Sequence, residues 1–173
     1  MNYTALQVKT SYSLLQSLNE IKKLVSYAAS LGYKSLAITD DNNMFGVPEF
    51  YNECKKNNIK PIIGLEISIE DKKILLYAMN NQGYKNLIKL STIISEHKLT
   101  RDDLIKYKED LLLIMPYKYF DETIYQIYNN HYIGYTNITE SSKIKEDKVL
   151  INDVSYLYKS DYKYLDYAYM IKE

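Results

Sequence analysis

Short apolar stretches alternate with amphipathic helical ones along the whole chain, and this alternation constrains the fold more than any other feature. Residues 4–9 (TALQVK) place Leu6 and Val8 at period two, as a half-buried strand does. Ser17 and Glu20 have the spacing of a capping box, which predicts a helix starting there. Ile21, Leu24, Val25 and Ala28 supply its apolar face, and Gly32 is its expected stop. Residues 35–39 (SLAIT) read as the next strand, followed by the polar run Asp40-Asp41-Asn42-Asn43. A second helix is expected from about Val47, with Pro48 tolerated in its first turn. Residues 61–67 (PIIGLEI) are apolar on both faces, as buried parallel strands are.

Residues 73–79 (KILLYAM), 110–115 (DLLLIM), 132–135 and 148–151 (KVLI) read as further strands. Leu87, Ile88, Ser91 and Ile94 mark a third helix, and 121–129 and 160–171 two more. The polar segment 139–148 (TESSKIKEDK) reads as an exposed loop. Such alternation predicts an α/β domain with a mostly parallel sheet, open or closed. The chain has 173 residues, the size of one domain, with no repeat or linker composition to divide it.

Composition narrows the functional classes. Twenty-two Lys and Arg balance 22 Asp and Glu, so a uniformly basic nucleic-acid surface is excluded, though a local patch is not. One cysteine, Cys54, permits neither an internal disulfide nor a cysteine zinc cluster. Two histidines, His97 and His131, stand apart with no second ligand at metal spacing. No stretch approaches 18 apolar residues and the start lacks a signal-peptide pattern, so a cytoplasmic location without membrane contact is expected.

Ligands of parallel α/β folds gather at the carboxyl ends of strands. Gln7, Lys9, Asp40, Asp41, Glu66, Asn152 and Asp153 fall at or near such ends. Convergent carboxylates there would take a hard divalent cation through oxygen. On spacing alone, helix caps and turn acids account for Asp40, Asp41, Glu66 and Asp153 at least as well. Cys54 reads as a small buried side chain, and His97 as a helix C-terminal group. The tail tyrosines 156, 158, 162, 164, 167 and 169 fit a base-stacking surface, a domain interface, or core packing combined with a compositional bias that runs through all 20 tyrosines.

Four blocks decide between these readings. LQVKTSYSLL, LGYKSLAITDDNNMFGVPEFYNECKKNNIKPIIGLEI, LLYAMNNQGYKNLIKLS and INDVSYL occur in that order over most of the chain. Together they resemble the N-terminal PHP (polymerase and histidinol phosphatase) domain of the bacterial DNA polymerase III alpha subunit. The resemblance implies a distorted PHP-type β/α barrel of about seven mostly parallel strands, abbreviated between 117 and 148. It implies one PHP domain over 1–173, a fragment of a longer polymerase chain, with the rest of that chain and other replisome proteins as partners. DNA would be contacted mainly by the parent polymerase, a nucleotidyltransferase acting in DNA replication.

Metal-binding relatives hold a multinuclear site with His, Asp, Glu and Cys. At their three first-block histidines this chain has Ala5, Gln7 and Lys9, and at the closing aspartate Gln16. Their T-D-H is here Thr39-Asp40-Asp41, the cysteine position is Tyr117, and N-D-V-H-Y is Asn152-Asp153-Val154-Ser155-Tyr156. The G-x-E is intact as Gly64-Leu65-Glu66. Imidazole and thiolate ligands are gone, while Asp40, Glu66 and Asp153 remain. The expectation is a vestigial site in which Lys9 centres an ion-pair network, with no catalytic residue and no cofactor. Weak divalent-cation binding at Asp40, Glu66 and Asp153 is the residual capacity. The rival reading is a metal-dependent phosphoesterase or 3′–5′ proofreading nuclease with a reduced metal site.

Overall fold

The computed structural model describes residues 3–172, so Met1, Asn2 and Glu173 lie outside the described residues. The chain divides into two compact units. One comprises the residues up to Asp41, Phe45–Ile63 and the residues from Asn152 on; the other comprises Asn42–Met44 and Gly64–Ile151.

The first unit holds β1 (Gln7–Val8), α1 (Ile21–Ser30), β2 (Ser35–Ile38), α2 (Val47–Lys56), the start of β3 (Lys60–Ile69), β8 (Asp153–Val154) and α7 (Tyr162–Lys172). Its pairings are parallel: Gln7 faces Asp153 on β8, and Ser35 to Ile38 face Lys60 to Ile63. The β1 segment lies along β2, with the Ala37 and Thr39 amides donating to the Ala5 and Val8 carbonyls at 3.1 and 2.8 Å. The period-four apolar rows of α1 and α2 bury Ile21, Leu24, Val25, Ala28, Val47, Phe50 and Cys54. Ser17 does not cap α1. The N-cap is Glu20, without a side-chain cap, and the Ser17 hydroxyl instead donates to the Lys9 and Ser155 carbonyls at 2.8 and 3.0 Å. Buried Asn19 sends its amide to the Lys9 and Val154 carbonyls at 2.9 and 3.0 Å, so tertiary bonds across β1 and β8 displace the expected local cap.

The second unit continues β3 from Gly64. It adds β4 (Lys72–Ala78), β5 (Leu111–Pro116), β6 (Asn130–Tyr135) and β7 (Lys148–Leu150). β4 is antiparallel to both β3 and β5, whereas β6 is parallel to β5 and β7 to β6. The expected parallel strand over 61–67 is therefore parallel to β2 in its first half and a hairpin partner of β4 in its second. Its core is Leu65, Ile67, Ile74, Leu76, Leu87, Leu90, Leu113 and Met115.

Four helices lie between these strands. α3 (Asn81–Glu96) is capped by the Asn80 side chain, which accepts from the Gln82 and Gly83 amides. α4 (Arg101–Lys106), which the periodicity does not reveal, starts in a reciprocal box between Thr100 and Asp103. α5 is only Glu122–Tyr125, less than half the expected length: Asp121 is its N-cap and Gln126 its C-cap, four residues before β6 begins at Asn130. The segment read as a loop folds over Ile138–Lys143 into α6, capped by Asn137 and closed by Lys148, whose ammonium donates to the Ser141 and Ile144 carbonyls.

Gly83 lets the start of α3 press against β5. A Cβ there would stand 2.1 Å from the Asp110 carbonyl oxygen, which is backbone and cannot swing aside. Gly83→Ala is expected to cost at least about 3 kcal/mol, read as a fall in the urea midpoint at unchanged slope.

Candidate functional site

Asp40 follows β2 and is 1% exposed. One carboxylate oxygen accepts the Thr10 amide and the Ser13 hydroxyl, both at 2.6 Å; the other accepts the Thr10 hydroxyl at 2.7 Å. Ser13 Oγ takes the Asp41 amide at 3.0 Å, and Gln16 Nε2 donates to the Asp41 carboxylate at 2.6 Å. Two consecutive acids thus tie down residues 10–16, where Leu15 sits at φ +57, a conformation that disfavours a side chain. Burial pushes the Asp40 carboxyl up. The Ser13 hydroxyl, the Thr10 amide and hydroxyl, and the positive charge of Lys9 act in the opposite sense. Gly46 keeps this corner open: a Cβ on it would come 2.9 Å from the Tyr12 ring and 3.1 Å from the Asp40 carboxylate.

Lys9, just past β1, is 5% exposed, and its ammonium donates to Asp153 at 2.8 Å. The Asp153 side chain is 44% exposed and also accepts the Ser155 hydroxyl at 3.1 Å. Gln7 lies in β1 opposite Asp153, and Ala5 is buried beside β2. These positions all belong to the first unit.

Glu66 and Tyr117 belong to the second unit. Glu66 is fully buried in β3 and accepts the Lys73 ammonium at 2.9 Å. It stands opposite Leu75 in the ladder, so Lys73, two residues before Leu75, shares its face as a diagonal neighbour. Burial, reinforced by the Glu66 charge, raises the Tyr77 phenol. Tyr117 opens the short 3₁₀ turn Tyr117–Tyr119 after β5. Besides the expected Lys9, a second ammonium takes part among the retained acids: Lys73 bonds Glu66. The sequence concealed that partner because Glu70, rather than Gly, Asn or Asp, takes the positive-φ place in the linking turn.

A metal cluster does not fit this donor set. Asp40 is occupied by three protein donors, and Asp153 and Glu66 by ammonium groups. Among the described residues no grouping of three or more His, Cys, Asp or Glu could hold a metal ion. Cys54 is buried in α2 with its thiol pushed up to about 12 by burial, then by Glu53. His97 is the exposed C-cap of α3, and His131 stacks on Tyr125 at 3.9 Å. Tyr162, Tyr164, Tyr167 and Tyr169 are exposed on α7, which rules out core packing as their role; Leu165 is the buried side chain there. Among the described residues, no helix is long and apolar enough to cross a membrane.

The chain belongs to the PHP domain family, whose model matches residues 5–168. Its relatives include the DNA polymerase III subunit alpha of Halalkalibacterium halodurans, 41% identical over 68% of this chain and 11% of the relative. That of Bacillus subtilis is 41% identical over 67% of this chain and 11% of the relative. That of Streptococcus pyogenes serotype M3 is 31% identical over 99% of this chain and 17% of the relative. The chain spans 11% to 17% of the length of these relatives.

Solved structures agree on the fold. An amidohydrolase from Chromobacterium violaceum, solved with bound sulfate and no metal, aligns with a TM-score of 0.59 at 9% identity, over 95% of this chain and 96% of that one. A two-domain Bacteroides vulgatus protein containing a predicted PHP-like metal-dependent phosphoesterase aligns with a TM-score of 0.58 at 10% identity, over 94% of this chain and 55% of that one.

Two consequences can be measured. Because the folded Asp40 holds its proton above the ordinary value of 3.8, the stability this group supplies is complete below that value and declines as pH rises through the folded pKa. Urea midpoints from about pH 3.5 to 7 should show the wild type losing ground against Asp40→Asn as pH climbs. Lys9→Met, which takes the ammonium from Asp153 and a positive charge from the neighbourhood of Asp40, should cost about 1–3 kcal/mol in the same assay.

Proposed function

We propose that residues 1–173 form one non-catalytic PHP domain that serves as a structural module of a bacterial replicative DNA polymerase. The observation that carries this reading is the engagement of each retained acid. Lys9 meets Asp153, Lys73 meets Glu66, and Thr10 with Ser13 give Asp40 three hydrogen bonds. Hydrolysis of a phosphoester in such a pocket needs a metal-activated water, and metal binding needs carboxylate lone pairs that are free to coordinate. Ammonium groups neutralise the acids without offering either. On this reading Gln7, Lys9, Gln16, Asp40, Asp41, Glu66, Tyr117, Asp153 and Ser155 are vestigial metal-site positions. The module works in the cytoplasm within a polymerase chain, alongside other replisome proteins, while other parts of that chain contact DNA.

Incubating the protein with a 3′-mismatched oligonucleotide and manganese or zinc tests the proposal. No shortening of the strand is expected, and crystals soaked in manganese should show no anomalous peak beside Asp40 or Glu66. Metal-dependent product that disappears in Asp40→Asn would establish the nuclease reading instead.

A further inference from the structure

Arg101 is the only arginine among the chain's 22 cationic side chains. It opens α4, and its guanidinium reaches two other segments of its unit. Nε and Nη2 donate to the two carboxylate oxygens of Glu70 at 2.8 and 2.9 Å, fork against fork. Nη2 also donates to Asp121, the cap of α5, at 3.1 Å, and Nη1 meets the Thr123 hydroxyl. The Thr123 hydroxyl, the Ile124 amide and Arg101 hold the Asp121 carboxyl down at about 2. Lys72 adds an ammonium 2.7 Å from Asp71, 3.7 Å from Asp121 and 3.8 Å from Glu70.

Glu70 and Asp71 form the two-residue turn between β3 and β4, and Glu70 stands at φ +55. Tight hairpins need positive φ and normally use Gly, Asn or Asp there, so this turn does not specify itself. Register nevertheless matters, because a slip of one residue would turn Glu66 and Lys73 to opposite faces. Exposed ion pairs usually contribute little, but a bidentate pair within a network is the exception. A lysine in place of Arg101 would be a point charge and could not span Glu70, Asp121 and Thr123 together.

We propose that Arg101 is the positioning residue of the β3–β4 hairpin: its fork binds the strained Glu70 turn to α4 and α5, and so sets the register in which Glu66 meets Lys73. The role is independent of whether the acids descend from a metal site.

Amide hydrogen exchange on the whole chain tests it in the wild type, Arg101→Lys and Arg101→Met, with Glu70→Gly added to the last. Both single variants should speed exchange of the Ile69 and Lys72 amides by about tenfold or more, while Leu113 and Ile133 keep their rates. Glu70→Gly should restore part of the loss, because glycine adopts the turn without strain. Arg101→Lys behaving as the wild type would overturn the proposal by showing that charge suffices. Uniform acceleration across β5 and β6, or no acceleration at the turn, would overturn it as well.

Discussion

The first unit is organised around one buried carboxylate. Asp40 accepts an amide and two hydroxyls, and all three come from the segment that follows β1. A carboxylate buried without donors would be several kcal/mol too costly to keep. Hydroxyls and an amide without an acceptor would be costly too, so each side makes the other tolerable. The bonds hold residues 10–16 against the end of β2, including a leucine at positive φ that would not rest there by itself. The position of Gln16 against Asp41, and the narrow approach to Gly46, follow from that arrangement.

Acids at strand ends repel one another and resist burial unless they are paired. Each unit shows one such pair. Lys9 reaches Asp153 along the β1–β8 pairing, and Lys73 reaches Glu66 across a hairpin. The exposures differ in sense: at Asp153 the acid meets water and the amine is buried, whereas at Glu66 the acid is buried and the amine is half-exposed. The same kind of ion pair therefore takes two physical forms.

Much of the fold was legible because periodicity reports burial directly. The strands of 35–39, 73–79 and 110–115 and the helices built on Ile21 and Val47 appear where their apolar spacing places them. What was not legible depended on partners far along the chain. Ser17 has the spacing of a cap, but its hydroxyl is claimed by the Lys9 and Ser155 carbonyls. Residues 139–148 are polar enough to read as loop, but Asn137 and Lys148 cap both ends of a helix there. The acids and Lys9 stood out as candidates by their chemistry. Thr10, Ser13 and Lys73 did not, because common residues acquire a role only once pairing brings them beside Asp40 and Glu66.

The pairing of β1 with β8 joins nearly the two extremes of the chain, Gln7 with Asp153. Residues 64–151, by contrast, form their sheet from strands that follow one another closely in sequence. Contacts of long sequence separation form late, whereas neighbouring strands pair early. During synthesis the central segment can therefore acquire its sheet on the ribosome while Gln7 and Val8 still lack their partner strand. A ribosome that stalls before Asp153 would release a chain whose first strand has an open edge, a substrate for chaperones and proteases rather than a smaller working version of the same unit.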